Sequence, residues 1–176
     1  LFYPEAAPRR LGQRRKRGEP AQVGMARFSA PGLMVCNLAG TDRDEVIAEL
    51  CGRLGAEGFV DNPARLTEEA LRREAIASTA VDHGLAFPHV RGVEGGGLTL
   101  ALGLSRKGVR FGTGKNLTRM VFLMVIPTAA SAFYLRLLSG LTQTFREESA
   151  RDQLFKAETP DELWKALNKA TRLTVP

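Results

Sequence analysis

"MVFLMVIP", residues 120–127, is an apolar run that ends at a proline. An uninterrupted run of this length is typical of a central β-strand that is covered on both faces. Upstream, "LTLALGLS" at residues 98–105 has a leucine at every second position, which indicates a strand with one face on the core. Together the two runs predict a sheet with helices packed against it.

Two helices are predicted before these strands. Apolar residues recur at helical spacing from Val46 to Leu54, behind a helix cap predicted at Thr41. A second helix is predicted to begin near Thr67 and to end at about Ser78. It leads directly into the segment that contains both histidines of the chain.

Two further helices are predicted after the strands. From Ser131 onward, Tyr134 shares one helical face with Leu137 and Leu141. The motif "TPDE" at residues 159–162 combines an N-cap threonine with proline at the first helical position, which predicts the start of the last helix. Strands and helices therefore follow one another along the chain, as in an α/β protein.

Length and charge suggest one compact domain, residues 25–176, behind a basic tail or linker, residues 1–24. The chain has 176 residues and a net charge of +6. Six positive and two negative side chains of residues 1–24 account for +4 of that excess, so a nucleic-acid surface on the domain is not expected. This segment contains three prolines and no apolar periodicity, and we expect it to be flexible. The sequence is compatible with three origins of this segment: a linker from an upstream transporter, residues added for expression, or a misassigned start.

The composition favours no cofactor and no metal. Cys36 and Cys51 are the only cysteines of the sequence, so neither a disulfide framework nor a zinc site is indicated. Such sparse cysteine usage is typical of a cytoplasmic protein, which we expect here. No apolar run approaches the roughly 20 residues of a membrane span. "GVRFGTGKN" departs from a phosphate-binding loop, because five residues separate Gly108 from Gly114 and Asn116 follows the lysine.

"AVDHGLAFPHVRG", residues 80–92, contains His83 and His89. His89 follows a short apolar stretch and a proline, so the end of a strand could present it. Arg91 lies two positions beyond, and Arg73 lies on the preceding predicted helix. A neutral imidazole can attack a phosphoryl donor while an arginine holds the transferred oxygens. Phosphoryl chemistry at His89 is one interpretation, and a packed or solvated histidine without a chemical role is the other.

The segment "REAIASTAVDHGLAFPHVR", residues 73–91, resembles the signature of bacterial phosphotransferase-system enzyme IIA domains. The resemblance is to the fructose, mannitol and nitrogen-regulatory class of the phosphoenolpyruvate-dependent system. It extends over about residues 33–170, since the apolar strand, the leucine-rich helix and the capped last helix recur in the same order. The matching positions of the signature are Arg73, Glu74, Thr79, Gly84, Ala86, Pro88 and His89.

The resemblance implies a single α/β domain in which helices flank a mixed sheet on both sides. It also implies that His89 accepts phosphate from an HPr-like carrier protein, with Arg73 steadying the phosphoryl group and Glu74 and Thr79 as supports. His83 falls at a variable position and is expected to be a loop residue. The chain would then be a phosphocarrier with a phosphohistidine intermediate rather than a stand-alone enzyme.

The resemblance also suggests partners, and one residue departs from it. Transport-type members pass phosphate to a cysteine of an enzyme IIB domain, whereas regulatory members control other proteins, such as a transporter or a kinase. Contact with a membrane would be indirect, through an upstream or partner protein. The family commonly has a second active-site histidine where this chain has Tyr134. The alternative is therefore a non-catalytic regulatory or binding module that keeps the fold and has lost phosphorelay.

Overall fold

A computed structural model describes residues 23–93 and 96–176. Residues 1–22, most of the predicted basic tail, lie outside the described residues. The elements in chain order are β1 (Met34–Val35), α1 (Arg43–Ala56), α2 (Pro63–Ile76), β2 (Ala80–Val81), β3 (Leu85–Ala86), β4 (His89–Val93), β5 (Thr99–Val109), β6 (Thr118–Pro127), α3 (Ser131–Phe145), α4 (Glu148–Phe155) and α5 (Pro160–Ala170).

The strands form one mixed sheet, which confirms the predicted α/β fold. The strand order is β1-β5-β6-β3-β2, and β4 also pairs with β6. β6 is antiparallel to β5 and parallel to β3 and β4. Residues 120–127 of β6 are all buried, so both faces of the strand are covered, as the uninterrupted apolar run predicts.

β3 and β4 follow the same edge of β6, one after the other. Leu85 of β3 pairs with Met120, and His89 of β4 pairs with Met124. Phe87 and Pro88 separate the two short strands, and the Pro88 carbonyl accepts a hydrogen bond from the Met124 N–H at 3.0 Å. The histidine segment is therefore held along the central strand of the sheet.

The prediction that β5 has only one buried face is wrong. Residues 99–105 are all buried, on both faces of the strand. The small residues that alternate with leucine make room for close packing instead of facing solvent. A Cβ atom at Gly103 would lie 2.6 Å from Cδ2 of Leu38. Leucine alternates with smaller residues along this part of β5, but the smaller residues are buried as well.

The cap of α1 lies one residue later than predicted. Asp42, rather than Thr41, is the N-cap, and its carboxylate accepts a hydrogen bond from the Glu45 N–H at 2.8 Å. Thr41 donates its N–H and its hydroxyl to the Glu45 carboxylate. Asp42 and Thr41 therefore both stabilise the start of α1, but Asp42 and not Thr41 is the capping residue.

α2 begins four residues before the predicted start at Thr67. Pro63 occupies the first turn, and the Asn62 side chain accepts a hydrogen bond from the Arg65 N–H at 3.1 Å. An asparagine N-cap followed by proline is a usual start signal of a helix. The acidic residues after Thr67 also suit a first helical turn, which is why the predicted start lies too late. The helix ends at Ile76, two residues before the predicted end, and the C-cap residue Ala77 is extended.

The residues after α5 fold back onto α3. A Cβ atom at Gly140 would lie 2.6 Å from the Thr174 carbonyl oxygen, so only a glycine lets the two segments approach this closely. The Thr144 and Thr174 hydroxyls are hydrogen-bonded, and Val175 is buried. α5 itself begins as predicted, with the Thr159 hydroxyl capping the helix. The short helix α4 was not predicted.

Candidate functional site

His89 is the first residue of β4, and two residues separate it from the end of the short strand β3. Its side chain is 7% exposed, at the point where the chain passes from one strand to the next. The sequence predicts that a strand end presents this residue, and the structure places it at a strand beginning. A buried histidine needs a hydrogen-bonding partner, because an unpaired polar group in the interior is costly.

That partner fixes which ring nitrogen of His89 is free. Nδ1 lies 2.9 Å from the carbonyl oxygen of Phe87. A carbonyl oxygen can only accept, so Nδ1 must carry the proton and donate it. In the neutral ring, the lone pair is then on Nε2. The backbone two residues before His89 thus sets its tautomer and leaves Nε2 as the nucleophilic atom.

Glu74 and Thr79 support this arrangement without touching the ring. Glu74, near the end of α2, is 2% exposed, and its carboxylate accepts hydrogen bonds from the Thr79 N–H at 2.7 Å and from the Thr79 hydroxyl at 2.9 Å. The Thr79 carbonyl in turn accepts from the Phe87 N–H at 3.3 Å. A chain of hydrogen bonds therefore runs from Glu74 through Thr79 and Phe87 to His89.

Arginines dominate the charge of the cavity beside His89. The cavity has a volume of about 800 Å³ and lies where α2 packs against β4. Its charged lining residues are Arg65, Arg72, Arg73, Arg91, Asp61 and Glu69. Arg73 donates one hydrogen bond to the Ala77 carbonyl at 3.0 Å, which orients the guanidinium at the end of α2. The excess of positive charge favours an anionic group near His89.

The pKa of His89 lies below its ordinary value. The main cause is burial, which penalises the charged imidazolium, and the positive charges of Arg73 and Arg91 lower the pKa further. The hydrogen bond to Phe87 and the negative charge of Glu74 act in the opposite direction. The net effect is a ring that is neutral near pH 7, which is the form that has a lone pair on Nε2.

Tyr134 lies against His89, at the start of α3. It is 8% exposed, and the two ring centroids are 5.4 Å apart at an interplanar angle of 40°. Tyr134 also continues the buried stripe of Leu137 and Leu141. Tyr134 is therefore both part of the apolar stripe of α3 and a direct neighbour of the His89 ring.

Arg91, two positions after His89 in the sequence, also lies beside Tyr134. Its Cζ atom lies 5.4 Å from the centroid of the Tyr134 ring. Side chains two positions apart on a strand point to the same face, so Arg91 shares the face of His89 on β4. The sequence shows the two-residue spacing of His89 and Arg91, but it does not show that Arg91 contacts the Tyr134 ring.

The other histidine has different surroundings. His83 is exposed, lies in the short 3-10 turn Asp82–Gly84 and has a φ angle of 68°. It is not among the described residues that line the cavity beside His89. The structure therefore agrees with the expectation of a loop residue.

Neither cysteine is suited to nucleophilic chemistry. Cys36 and Cys51 are both buried, as predicted. Burial raises the pKa of both thiols, and that of Cys51 reaches about 11. Thiols with such pKa values remain protonated at neutral pH, and the thiolate is the reactive form.

Within residues 23–93 and 96–176, no three His, Cys, Asp or Glu side chains are placed to hold a metal ion. In the same ranges, no helix has the length and apolar character needed to cross a membrane.

Known proteins resemble this chain in both sequence and structure. The family model "Phosphoenolpyruvate-dependent sugar phosphotransferase system, EIIA 2" matches residues 28–170. The 2-O-alpha-mannosyl-D-glycerate-specific EIIABC component of Escherichia coli K12 is 34% identical over an alignment of 138 residues that covers 75% of this chain. The chain spans only 20% of the length of that relative.

Solved structures share the fold at lower sequence identity. The nitrogen regulatory protein IIA-Ntr of Neisseria meningitidis has a TM-score of 0.70 and 22% identity, over 80% of this chain and 96% of that one. The mannitol enzyme IIA of Escherichia coli, solved in complex with phosphorylated enzyme IIB, has a TM-score of 0.65 and 19% identity, over 80% and 96%. Since the family model covers most of the 176 residues, the chain belongs to the EIIA 2 family of the phosphoenolpyruvate-dependent sugar phosphotransferase system.

Proposed function

We propose that this chain is a phosphocarrier that accepts a phosphoryl group on Nε2 of His89 from an HPr-like protein. The observation that carries the proposal is the hydrogen bond from Nδ1 to the Phe87 carbonyl, which leaves the Nε2 lone pair free in a neutral ring. Arg73 supports the proposal, since its guanidinium lines the same cavity as His89. Glu74 and Thr79 support it as positioning residues of the segment.

The chemistry of the step agrees with this geometry. The Nε2 lone pair forms the new bond to phosphorus, the bond between phosphorus and the donor breaks, and its electron pair stays with the donor. The product ring is positively charged, because both of its nitrogens are now substituted. The Nδ1–H then donates a charge-assisted hydrogen bond to the Phe87 carbonyl, which stabilises the phosphorylated ring.

The surface near His89 offers a place for a protein donor or acceptor. Ile76 lines the cavity and is 78% exposed, and Phe133, next in the chain to Tyr134, is 51% exposed. Exposed apolar side chains beside a charged cavity are typical of a protein-binding surface. The partners we propose are an HPr-like donor and, as acceptor, an enzyme IIB domain or a regulated transporter or kinase.

The test is phosphorylation with purified components. The chain is incubated with radiolabelled phosphoenolpyruvate, enzyme I and HPr, and we expect an acid-labile, alkali-stable label on His89. Omission of HPr should remove the label, which shows that the carrier protein is the donor. His83→Ala is the matched control, since it removes the exposed histidine of the same segment.

A folded chain that takes no label would overturn the proposal. It would favour the alternative, a regulatory or binding module in which Tyr134 has replaced the second histidine and phosphorelay is lost. Circular dichroism of the same preparation establishes that the chain is folded.

A further inference from the structure

Arg91 lies on the same face of β4 as His89 and lines the cavity with His89 and Arg73. Over the described ranges 23–93 and 96–176, its guanidinium makes no ion pair and no hydrogen bond, and it lies over the Tyr134 ring. Arg73, by contrast, already donates to the Ala77 carbonyl. Within the part of the chain that the structure describes, no residue accepts a hydrogen bond from the five N–H donors of Arg91, which suits them to an anionic ligand.

Tyr134 connects this guanidinium to the imidazole. Its ring centroid is 5.4 Å from the His89 ring and also 5.4 Å from Cζ of Arg91. A guanidinium within about 6 Å of an aromatic face is attracted by the ring quadrupole. The buried ring therefore fixes the direction of a long side chain that would otherwise be mobile in solvent.

We propose that Arg91 is a second phosphoryl-binding residue, which donates to the oxygens of a phosphoryl group on His89, and that Tyr134 is the residue that positions it. This inference rests on the proposed phosphorylation of His89. Arg73 from α2 and Arg91 from β4 would then hold the phosphoryl group from two sides.

The charge of the site explains why this arrangement matters. A phosphoryl group carries close to two negative charges, and a phenol cannot supply a positive one because it is neutral when protonated and negative when deprotonated. An arginine is always protonated and binds phosphate with two parallel N–H donors. With Arg91 over the Tyr134 ring, the positive charge that the missing histidine would contribute comes from another side chain.

The test compares the rate of His89 labelling by phosphorylated HPr in variants of the full chain. We expect Arg91→Gln to lower the maximal rate about 10- to 100-fold, as for the loss of one charge-assisted hydrogen bond in the transition state. Arg91→Lys should recover part of this loss. Arg53→Gln is the matched control, because it removes one positive charge from α1, far along the chain from the site, and should leave the rate unchanged.

Variants of Tyr134 separate its ring from its hydroxyl. Tyr134→Phe should lower the rate less than Tyr134→Leu does, because phenylalanine retains the aromatic face. Tyr134→Leu should lower the rate, and Arg91→Gln combined with Tyr134→Leu should be no slower than Arg91→Gln alone, since Tyr134 acts through Arg91.

The concentration of phosphorylated HPr distinguishes phosphoryl binding from partner binding. Loss of a phosphoryl contact lowers the maximal rate, whereas loss of a docking contact raises only the half-saturating concentration. An effect of Arg91→Gln confined to that concentration, or equal rates in Arg91→Gln and Arg53→Gln, would overturn this inference while His89 is still labelled. Absence of label in the wild type would instead overturn the proposed function. If Arg91→Gln does not fold, a wild-type rate in Arg91→Lys with an unchanged rate in Tyr134→Leu would equally overturn the inference.

Discussion

The two histidines of the segment 80–92 lie six positions apart and have opposite surroundings. His89 is 7% exposed, begins a strand beside the central strand β6, and has one nitrogen bound to the Phe87 carbonyl. His83 is exposed, in a turn with a left-handed backbone. The same residue type thus occurs in two different environments within one short segment. The tautomer, the burial and the neighbouring arginines distinguish the two rings.

Replacing each histidine in turn tests the comparison most directly. His89→Ala should abolish labelling by phosphorylated HPr, and His83→Ala should retain most of it. The reason is that His89 alone has Nε2 free beside the arginine cavity. Radiolabel per mole of folded protein is the measurement. Equal labelling of His89→Ala and the wild type would remove the distinction between the two rings.

The hydrogen bonds between Glu74 and Thr79 can be removed without changing the His89 side chain. Glu74→Ala leaves the N–H and hydroxyl of the half-buried Thr79 without their acceptor, which should lower the free energy of unfolding by about 1–3 kcal/mol. Urea denaturation monitored by circular dichroism measures this change.

Glu74→Gln is the matched variant for this support. Its amide keeps one oxygen that can accept from Thr79, so its loss should be the smaller one. Identical stabilities of the alanine, glutamine and wild-type chains would show that this chain of hydrogen bonds does not hold the segment.

A pH titration tests how burial and the neighbouring charges affect the pKa of His89. The pKa of His89 is lowered, mainly by burial, so the midpoint of its titration by NMR should lie below the ordinary value of about 6.5. In acid, the unfolded chain takes up a proton on this residue before the folded chain does. The free energy of unfolding should therefore fall as the pH drops below about 6.5.

The same titration in a variant identifies the cause. Arg91→Gln removes one of the positive charges that lower the pKa, so the midpoint should rise. A wild-type midpoint above 6.5 would contradict both the burial and the arginine contributions.

How far the sequence predicts the fold depends on the length of each element. β6, α3 and α5 were predicted because a long apolar run, a helical stripe and an N-cap signal each act within one segment. β2, β3 and β4 have two to five residues, too few for a period to show. Their existence depends on pairing with β6, a long-range contact that local patterns do not contain.

The site was predictable to a similar degree. The resemblance directed attention to His89 and its support residues, and the structure brings Arg73 into the cavity beside the ring. The tautomer of His89 depends on the orientation of the Phe87 peptide, which no residue type specifies. The contact between Arg91 and Tyr134 joins β4 to α3 across 43 positions of sequence, so local spacing could not reveal it.

The smallest expected effect concerns His83. A non-glycine residue with a φ of 68° is strained by roughly 1 kcal/mol, so His83→Gly should raise the thermal stability slightly or leave it unchanged. Labelling of His89 should be unaffected. Differential scanning calorimetry gives the stability. A marked loss of stability would mean that the His83 side chain makes a contact of its own, and that the two rings differ less than proposed.

The packing of residues 171–176 on α3 also has a consequence for the other end of that helix. Tyr134 and Gly140 lie six residues apart on α3, about 9 Å along its axis. A Cβ atom at Gly140 would lie too close to the Thr174 carbonyl oxygen, so any larger side chain there must displace one of the two segments. Because a helix of this length is stiff and its surroundings are closely packed, a displacement of α3 at Gly140 would also move Tyr134. We therefore expect a larger residue at position 140 to change the contact between the Tyr134 and His89 rings if it moves the helix rather than the terminal segment.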